Sequence, residues 1–569
     1  MSALFMKAGF GKSKINYSPG KKGSILLGYM NFQNKASQIE SDLHSRCILM
    51  IGELNNPVFS LCIETCFASA QLKLDIAAHF EKSNHPYKPT CKNLMLHAQN
   101  THSAPGGFSS YLFQNLFSGG FNEGFYQNLL FACIDSIKQA LDNIQEAKII
   151  LNVSEFEKDK HVAFNRSLKA YNENKDVNPF SESQTNEAIS RWVKQLKIVS
   201  IDGTTLGIIN WFGVHGNSVG WENKSICADN KGYASAIFEK ENSHIPNFTA
   251  IFAQEACADV SPNYHGNAFR WPRGKYEDQF KSAYFNGYLQ YEKASEMLNK
   301  SDVDIPIKGV IKSEHAYFDF SNYTINEKFA STNELRVGYP CVGISAVKGT
   351  AIDTPGIGNT TAFFVSIWIK FRKLANSIPW INRRKKIIYL ERRDKIQGNK
   401  EIVADLFKKR FIGLRNVNLI PHIEPFHDLL GVLKKAYQNR ITLKYEWWPT
   451  ILELQYFQIG SLLIIGIPGD ITTQAAFRLK QSILDASDHE FIDVIINSYA
   501  NDYCGYICTP EEYDKQMYEG GFTIYGRETL AAFQSAFCEL IKGSRQSSIK
   551  NKKPVHLSME ELREMTLNT

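Results

Sequence analysis

Ile208-Ile209-Asn210-Trp211-Phe212-Gly213-Val214-His215 is an apolar run that ends on a histidine. It reads as a buried strand whose last side chain carries chemistry. Three other stretches share this design. Leu94-Met95-Leu96 leads to Asn100-Thr101-His102-Ser103-Ala104-Pro105-Gly106-Gly107, and Ala250-Ile251-Phe252-Ala253 leads to Asp259-Val260-Ser261-Pro262-Asn263. Leu462-Leu463-Ile464-Ile465-Gly466-Ile467-Pro468-Gly469 leads to Asp470. Strands that deliver polar side chains at their ends are how α/β enzymes build sites. Four deliveries, with a fifth polar cluster near Tyr506, predict one composite active site.

Working outward, strand-like runs lie at 25–27, 47–51, 58–63 and 94–96. Leu130, Ile134, Ile137, Leu141 and Ile144 step by four and three, which predicts a helix over about 123–147. A strand at 148–153 follows it, so the order is α/β. Polar stretches lie at about 154–190 and 264–305. A basic run, Arg383-Arg384-Lys385-Lys386 then Arg392-Arg393, falls within 370–400. It reads as a solvated face or as a contact for anionic head groups. The residues from about 544 are basic and polar, and predict a disordered tail after a unit spanning 1–543.

The 569 residues are 43% hydrophobic and 21% charged, ordinary for a globular protein. A net charge of +6 is too small for a nucleic-acid footprint and slightly favours an anionic membrane surface. Eleven cysteines, scattered without a framework, read as reduced core residues. The N-terminus shows no signal-peptide pattern, and no run reaches the roughly 18 apolar residues of a membrane span. The expected compartment is cytoplasmic, with export by a signal-independent route as the alternative.

Six segments together resemble the neutral ceramidase family: residues 101–107, 210–215, 229–235, 259–263, 467–473 and 506–513, in that order. The resemblance implies an α/β catalytic domain with a mixed β-sheet core and flanking helices, without the family's further C-terminal domain. It implies hydrolysis of the ceramide amide bond at a zinc site, giving sphingosine and a fatty acid. The family's four metal-ligand positions fall on Asn100, His215, Asp470 and Tyr506. Two depart from the pattern. Asn100 replaces a histidine, and an amide oxygen is a poor zinc ligand. Asp470 replaces a glutamate, shortening the reach by about 1.5 Å. Weakened Zn²⁺ binding, or a preference for Mg²⁺ or Mn²⁺, follows. His97 lies on the opposite strand face and reads as structural.

Ser261 and His102 match the family's catalytic positions; a histidine there could exchange protons near neutral pH. Gly28, Arg166 and Tyr518 match positions that contact the substrate. Asp229 reads as orienting His215 or its loop. An apolar slot beside the polar centre is expected for a ceramide-like lipid. Two other readings stay open: a catalytically impaired lipid-binding protein, and a hydrolase of another N-acyl substrate.

Overall fold

Strand alternation builds two facing sheets. In the computed structural model, the described residues are 6–21, 23–263, 265, 273–300, 304–350, 352–376, 384–420, 427–544 and 552–567. Among them the larger sheet has nine strands. Its order is Thr249–Gln254, Thr205–Phe212, Trp192–Ser200, Gln145–Glu155, Met6–Lys14, His44–Ile51, Pro57–Ile63, Leu94–Ala98, with Ile305–Ile307 also paired to Gln145–Glu155. The outermost pairs at both ends are parallel and the inner ones antiparallel, so the sheet is mixed. A second mixed sheet runs Ile311–Asp319, Ile451–Ile459, Leu462–Gly466, Asp493–Asn497.

Side chains of period two place the core on both faces. In His44–Ile51, Ile48 and Met50 join Leu462, Ile464 and Phe457 between the sheets. Cys47, Leu49 and Ile51 point the other way, into the core packed by the helix Glu123–Asp142. In the second sheet Leu463 and Ile465 face outward, in the same core as Ala475 and Leu479 of the helix Thr473–Ala486. Helices therefore flank a two-sheet centre, as the α/β expectation has it.

Two expectations need correction. The helix expected over 123–147 stops at Asp142. Asn143 ends it by turning its side chain onto Phe10, accepting from the backbone N–H and donating to the carbonyl. Residues 145–147 belong to the strand Gln145–Glu155 instead. The tail from 544, expected to be disordered, is packed over 552–567: Leu562, Met565 and Leu567 are buried, and Phe121 donates its N–H to the Met565 carbonyl at 3.0 Å. Those apolar residues, few in a polar stretch, are enough to dock it. Residues 545–551 of that tail, and Arg383 of the basic run, lie outside the described residues.

Candidate active site and metal centre

Short backbone ladders gather the four strand ends. Val260–Ser261 pairs with Phe164–Asn165, which sets Arg166 opposite Asp259, to whose carbonyl its N–H donates at 2.8 Å. Asp470–Ile471 pairs in parallel with Tyr506–Ile507. His215 donates its N–H to the Val260 carbonyl at 3.0 Å, and His102 donates to Gly216 at 2.8 Å. Asp259 ties three motifs together, accepting from Asn165 Nδ2 at 2.8 Å and from the Thr473 N–H at 2.9 Å. Asp229 accepts from the N–H groups of Ser218 and Val219, and so holds the loop after His215.

Three donors converge. His215 Nε2 lies 3.5 Å from Asp470 Oδ2 and 3.4 Å from the Tyr506 hydroxyl. His215 Nδ1 is 2.7 Å from the Cys257 carbonyl, which fixes the proton there and frees the Nε2 lone pair. Burial, then the charge of Arg166, holds the His215 imidazole well below its ordinary value, so it is neutral. Burial pushes the Asp470 carboxyl up to about 7, and its Oδ2 is buried with no hydrogen-bond partner among the described residues. Ligands about 2.0–2.1 Å from a tetrahedral ion stand about 3.3–3.4 Å apart. The separations from His215 Nε2 to Asp470 and to Tyr506 match that edge, so these residues fit a metal ion held between them.

Asn100 is not turned to that centre. Its amide nitrogen donates to the Cys66 carbonyl at 3.1 Å and its oxygen accepts the Gly216 N–H at 3.3 Å. It joins backbone to backbone, from a left-handed φ of 68° that asparagine tolerates. His97 is fully buried against Ser60 Oγ at 3.0 Å, consistent with a structural role.

His102 packs edge-on against Tyr29 and against His215, with ring centroids 4.8 and 5.6 Å apart. Its seat requires Gly28, where a Cβ would stand 2.4 Å from the His102 ring and φ is 128°. Near-neutral titration of His102 is not what the structure gives. Burial, then Arg166, lowers it to about 3, and Nδ1 has no hydrogen-bond partner among the described residues. It is a neutral imidazole.

Ser261 Oγ donates to Asp353 Oδ1 at 2.5 Å. Asp353 Oδ2 accepts from Arg166 Nη1 at 2.9 Å, and Arg166 Nη2 donates to the Tyr506 hydroxyl at 3.2 Å. A continuous polar path thus runs from Ser261 to the three donors. Arg166 also pairs with Glu519 at 3.0 Å and lies 5.3 Å from the Tyr518 ring centroid. Sequence reasoning missed Asp353, Glu519 and Cys257. Asp353 carries only the faint signal of an acid before Thr-Pro-Gly. Cys257 directly precedes the Ala258-Asp259 step, and its Sγ lies 3.4 Å from Asp470 Oδ1. His215, Cys257 and Asp470 also form a buried group of metal-ligating atoms within 4.8 Å of one another. The Tyr506 hydroxyl lies 3.4 Å from His215 Nε2 and the Cys257 sulfur 3.4 Å from Asp470 Oδ1, so the centre offers an oxygen and a sulfur as third donor.

A pocket lined by Asn100, His102, Tyr506 and Tyr518 covers this centre. It shares Gly28, Met30, Phe117, Tyr518 and Phe522 with a slot of about 400 Å³. Phe113, Val342, Ile357, Phe411 and Leu429 make the slot mostly apolar.

Residues 8–409 and 435–535 match the family profile described as neutral/alkaline non-lysosomal ceramidase, N-terminal. The neutral ceramidase of Pseudomonas aeruginosa is 28% identical over 548 residues, covering 95% of this chain and 72% of that protein. The neutral ceramidase of Drosophila melanogaster is 26% identical over 606 residues, covering 99% and 78%. A solved structure of a ceramidase complexed with C2 superposes with a TM-score of 0.78 at 26% identity, covering 98% of this chain and 77% of that one. The crystal structure of neutral ceramidase from Pseudomonas aeruginosa gives 0.76 at 25% identity, with the same coverage.

Proposed function

The chain belongs to the neutral/alkaline non-lysosomal ceramidase family, and from that premise we propose how its residues hydrolyse the N-acyl amide of ceramide. The reaction adds water across the amide and releases sphingosine and a fatty acid. The observation that carries the reading is one neutral imidazole with an orphaned carboxylate oxygen and a phenol at 3.5 and 3.4 Å from its Nε2.

His215 Nε2, Asp470 Oδ2 and Tyr506 would hold the dication. Zinc is the first choice, and Mg²⁺ or Mn²⁺ the alternatives that two oxygen donors permit. When bound it supplies Lewis-acid polarisation of the amide carbonyl. The rest belongs to the chain. Asp353 Oδ1 accepts a hydrogen bond from the Ser261 hydroxyl, which fixes the hydroxyl hydrogen and raises the electron density on the Ser261 oxygen. His102, neutral and unpartnered at Nδ1 among the described residues, offers the substrate a ring nitrogen for a hydrogen bond, its basicity lowered by burial. Arg166, fixed by Asp353 and Glu519, directs an N–H at Tyr506 and keeps the phenol aimed at the centre. The slot takes the acyl or sphingoid chain, and its exclusion of water strengthens each of these contacts.

A ceramide-like substrate resides in a bilayer, so peripheral contact with a membrane belongs to the same reading. A reducing compartment is supported by eleven free cysteines, ten of them buried. The impaired lipid-binding reading draws support from Asn100, whose amide is committed elsewhere. The deciding experiment pairs metal analysis of the purified protein with hydrolysis of a fluorescent ceramide. Wild type should carry a dication and release fatty acid, and His215→Ala should do neither. Binding of the lipid without cleavage by wild type would replace the hydrolase with the binder.

A further inference from the structure

The helix Asn359–Asn376 is apolar on two sides. Ala362 and Val365 face inward, in the core that also holds Ile357 and Phe411. On the other side Phe363, Phe364, Phe371 and Leu374 are 62%, 63%, 60% and 67% exposed, with Ile367 and Trp368 between them. Their spacing gathers them on one face. Single exposed apolar residues are ordinary; a contiguous aromatic strip on one helix is not.

Its position ties it to the slot. Pro355, Gly356 and Ile357 line the slot, and the helix begins two residues later. Val403 and Phe411 line it too, and the helix is fastened next to them: Trp368 Nε1 donates to the Ile412 carbonyl at 3.2 Å and Ser366 to Glu401. No helix among the described residues is long and apolar enough to cross a membrane. This one has the character of a helix that lies in an interface.

Charge selects the partner. The helix carries Lys370, Arg372 and Lys373 and no acid. The helix Arg384–Gln397 carries six basic and two acidic residues. The pair sums to seven net positive charges in sequence; Glu401, Glu334 and Asp405 pair with Lys370, Lys395 and Arg393 at 3.1, 3.0 and 3.2 Å, and seven less these three leaves four. Lysine and arginine beside exposed aromatics suit the boundary between anionic head groups and acyl chains. A second copy of this chain would bring like charges together across the same face.

We propose that the outer face of Asn359–Asn376 seats the protein on an anionic lipid bilayer, holding the slot at the surface from which its substrate is drawn. The proposal rests on the lipid-hydrolase reading for its purpose and on the helix alone for its geometry. The test is flotation of the full chain with phosphatidylcholine vesicles, with and without phosphatidylglycerol. Wild type should float with the anionic vesicles and be released by high salt. The double variant Phe364→Ser with Phe371→Ser should bind about tenfold more weakly or worse. Both proteins should cleave a short-chain ceramide dispersed in detergent at the same rate. Equal flotation of variant and wild type, or no flotation of wild type, overturns the proposal. So does a dimer in solution that the same double variant dissolves, since a second copy would then cover the face. Failure to cleave the detergent-dispersed substrate would count against the hydrolase reading and leave the flotation result standing.

Discussion

His215 Nε2 and Asp470 Oδ2 stand 3.5 Å apart, and both side chains are buried. Burial keeps the imidazole neutral and pushes the carboxyl up to about 7. In the metal-free protein Asp470 is protonated below pH 7, and a cation must displace that proton. The logarithm of cation affinity should therefore rise with pH by about one more unit per pH unit below 7 than above it. Chelator competition across pH 5–9 measures the slope. Asp470→Asn should lose most of the affinity and remove the break near 7. A wild-type profile without a break would mean that Asp470 is not a ligand.

Cys257 separates two possible ligand sets. With His215, Asp470 and Tyr506 as donors, Cys257→Ala should change cation affinity by less than about threefold, because the thiol then acts only through its contacts to Asp470 Oδ1 and the Tyr499 hydroxyl. Cobalt substitution gives a second readout. The visible spectrum should lack a thiolate band, and its presence would put the sulfur in the ligand set.

Asp353 should matter as much as Ser261. Asp353→Asn keeps the shape but removes the charge that holds both Ser261 and Arg166. Loss of about 10²–10⁴-fold in kcat is expected for a group that handles this proton. Stability should fall by about 1–3 kcal/mol, because Arg166 stays buried with Glu519 as its remaining charged partner. Ser261→Ala should be similarly slow, and the double variant no slower than either. Additive losses would show that the two residues act separately.

How much of this was legible in the sequence depends on distance along the chain. His215 and Asp470 each end a recognisable run, and the resemblance to the family's motifs singled them out together with Tyr506. Asp353 reaches Ser261 across 92 positions and Glu519 reaches Arg166 across 353, and no local pattern marks such partners. The low titration of His102 was hidden for a related reason: burial is a property of the assembled pocket. The helix after Glu123 ran short because Asn143 bonds to Phe10, 133 positions away. The C-terminal tail looked disordered because composition averages over the few residues that dock it.

That tail gives a stability prediction. Leu562, Met565 and Leu567 are at most 1% exposed, and Gln71 donates to the Leu557 carbonyl at 2.9 Å. Burying three such side chains stabilises by about 1.5–3 kcal/mol each, less the entropy of ordering the segment. Truncation after residue 551 should cost about 2–5 kcal/mol and lower Tm. Leu562→Ala alone should cost about 2–4 kcal/mol. A truncated protein with unchanged Tm would show that the docked segment adds nothing.

Asn100 carries the riskiest expectation. In the family pattern this position is a histidine that binds the metal; here the amide joins Cys66 to Gly216. Asn100→His would lose both bonds and place a bulkier residue at φ 68°, at a cost of about 1–3 kcal/mol. It would also add a second imidazole to the centre. Cation content should rise, and amide hydrolysis with it. Asp470 remains one methylene short of glutamate, so Asn100→His with Asp470→Glu is the fairer comparison. Metal analysis and ceramide hydrolysis of wild type, both variants and each combined with His215→Ala decide it. His215→Ala should abolish both gains in every background. If wild type already holds one dication per chain and the double variant is no faster, then Asn100 is a structural link in a complete three-donor site. The empty imidazole position would then have been replaced by design of the loop, and the backbone bridge from Cys66 to Gly216 would be what the asparagine supplies.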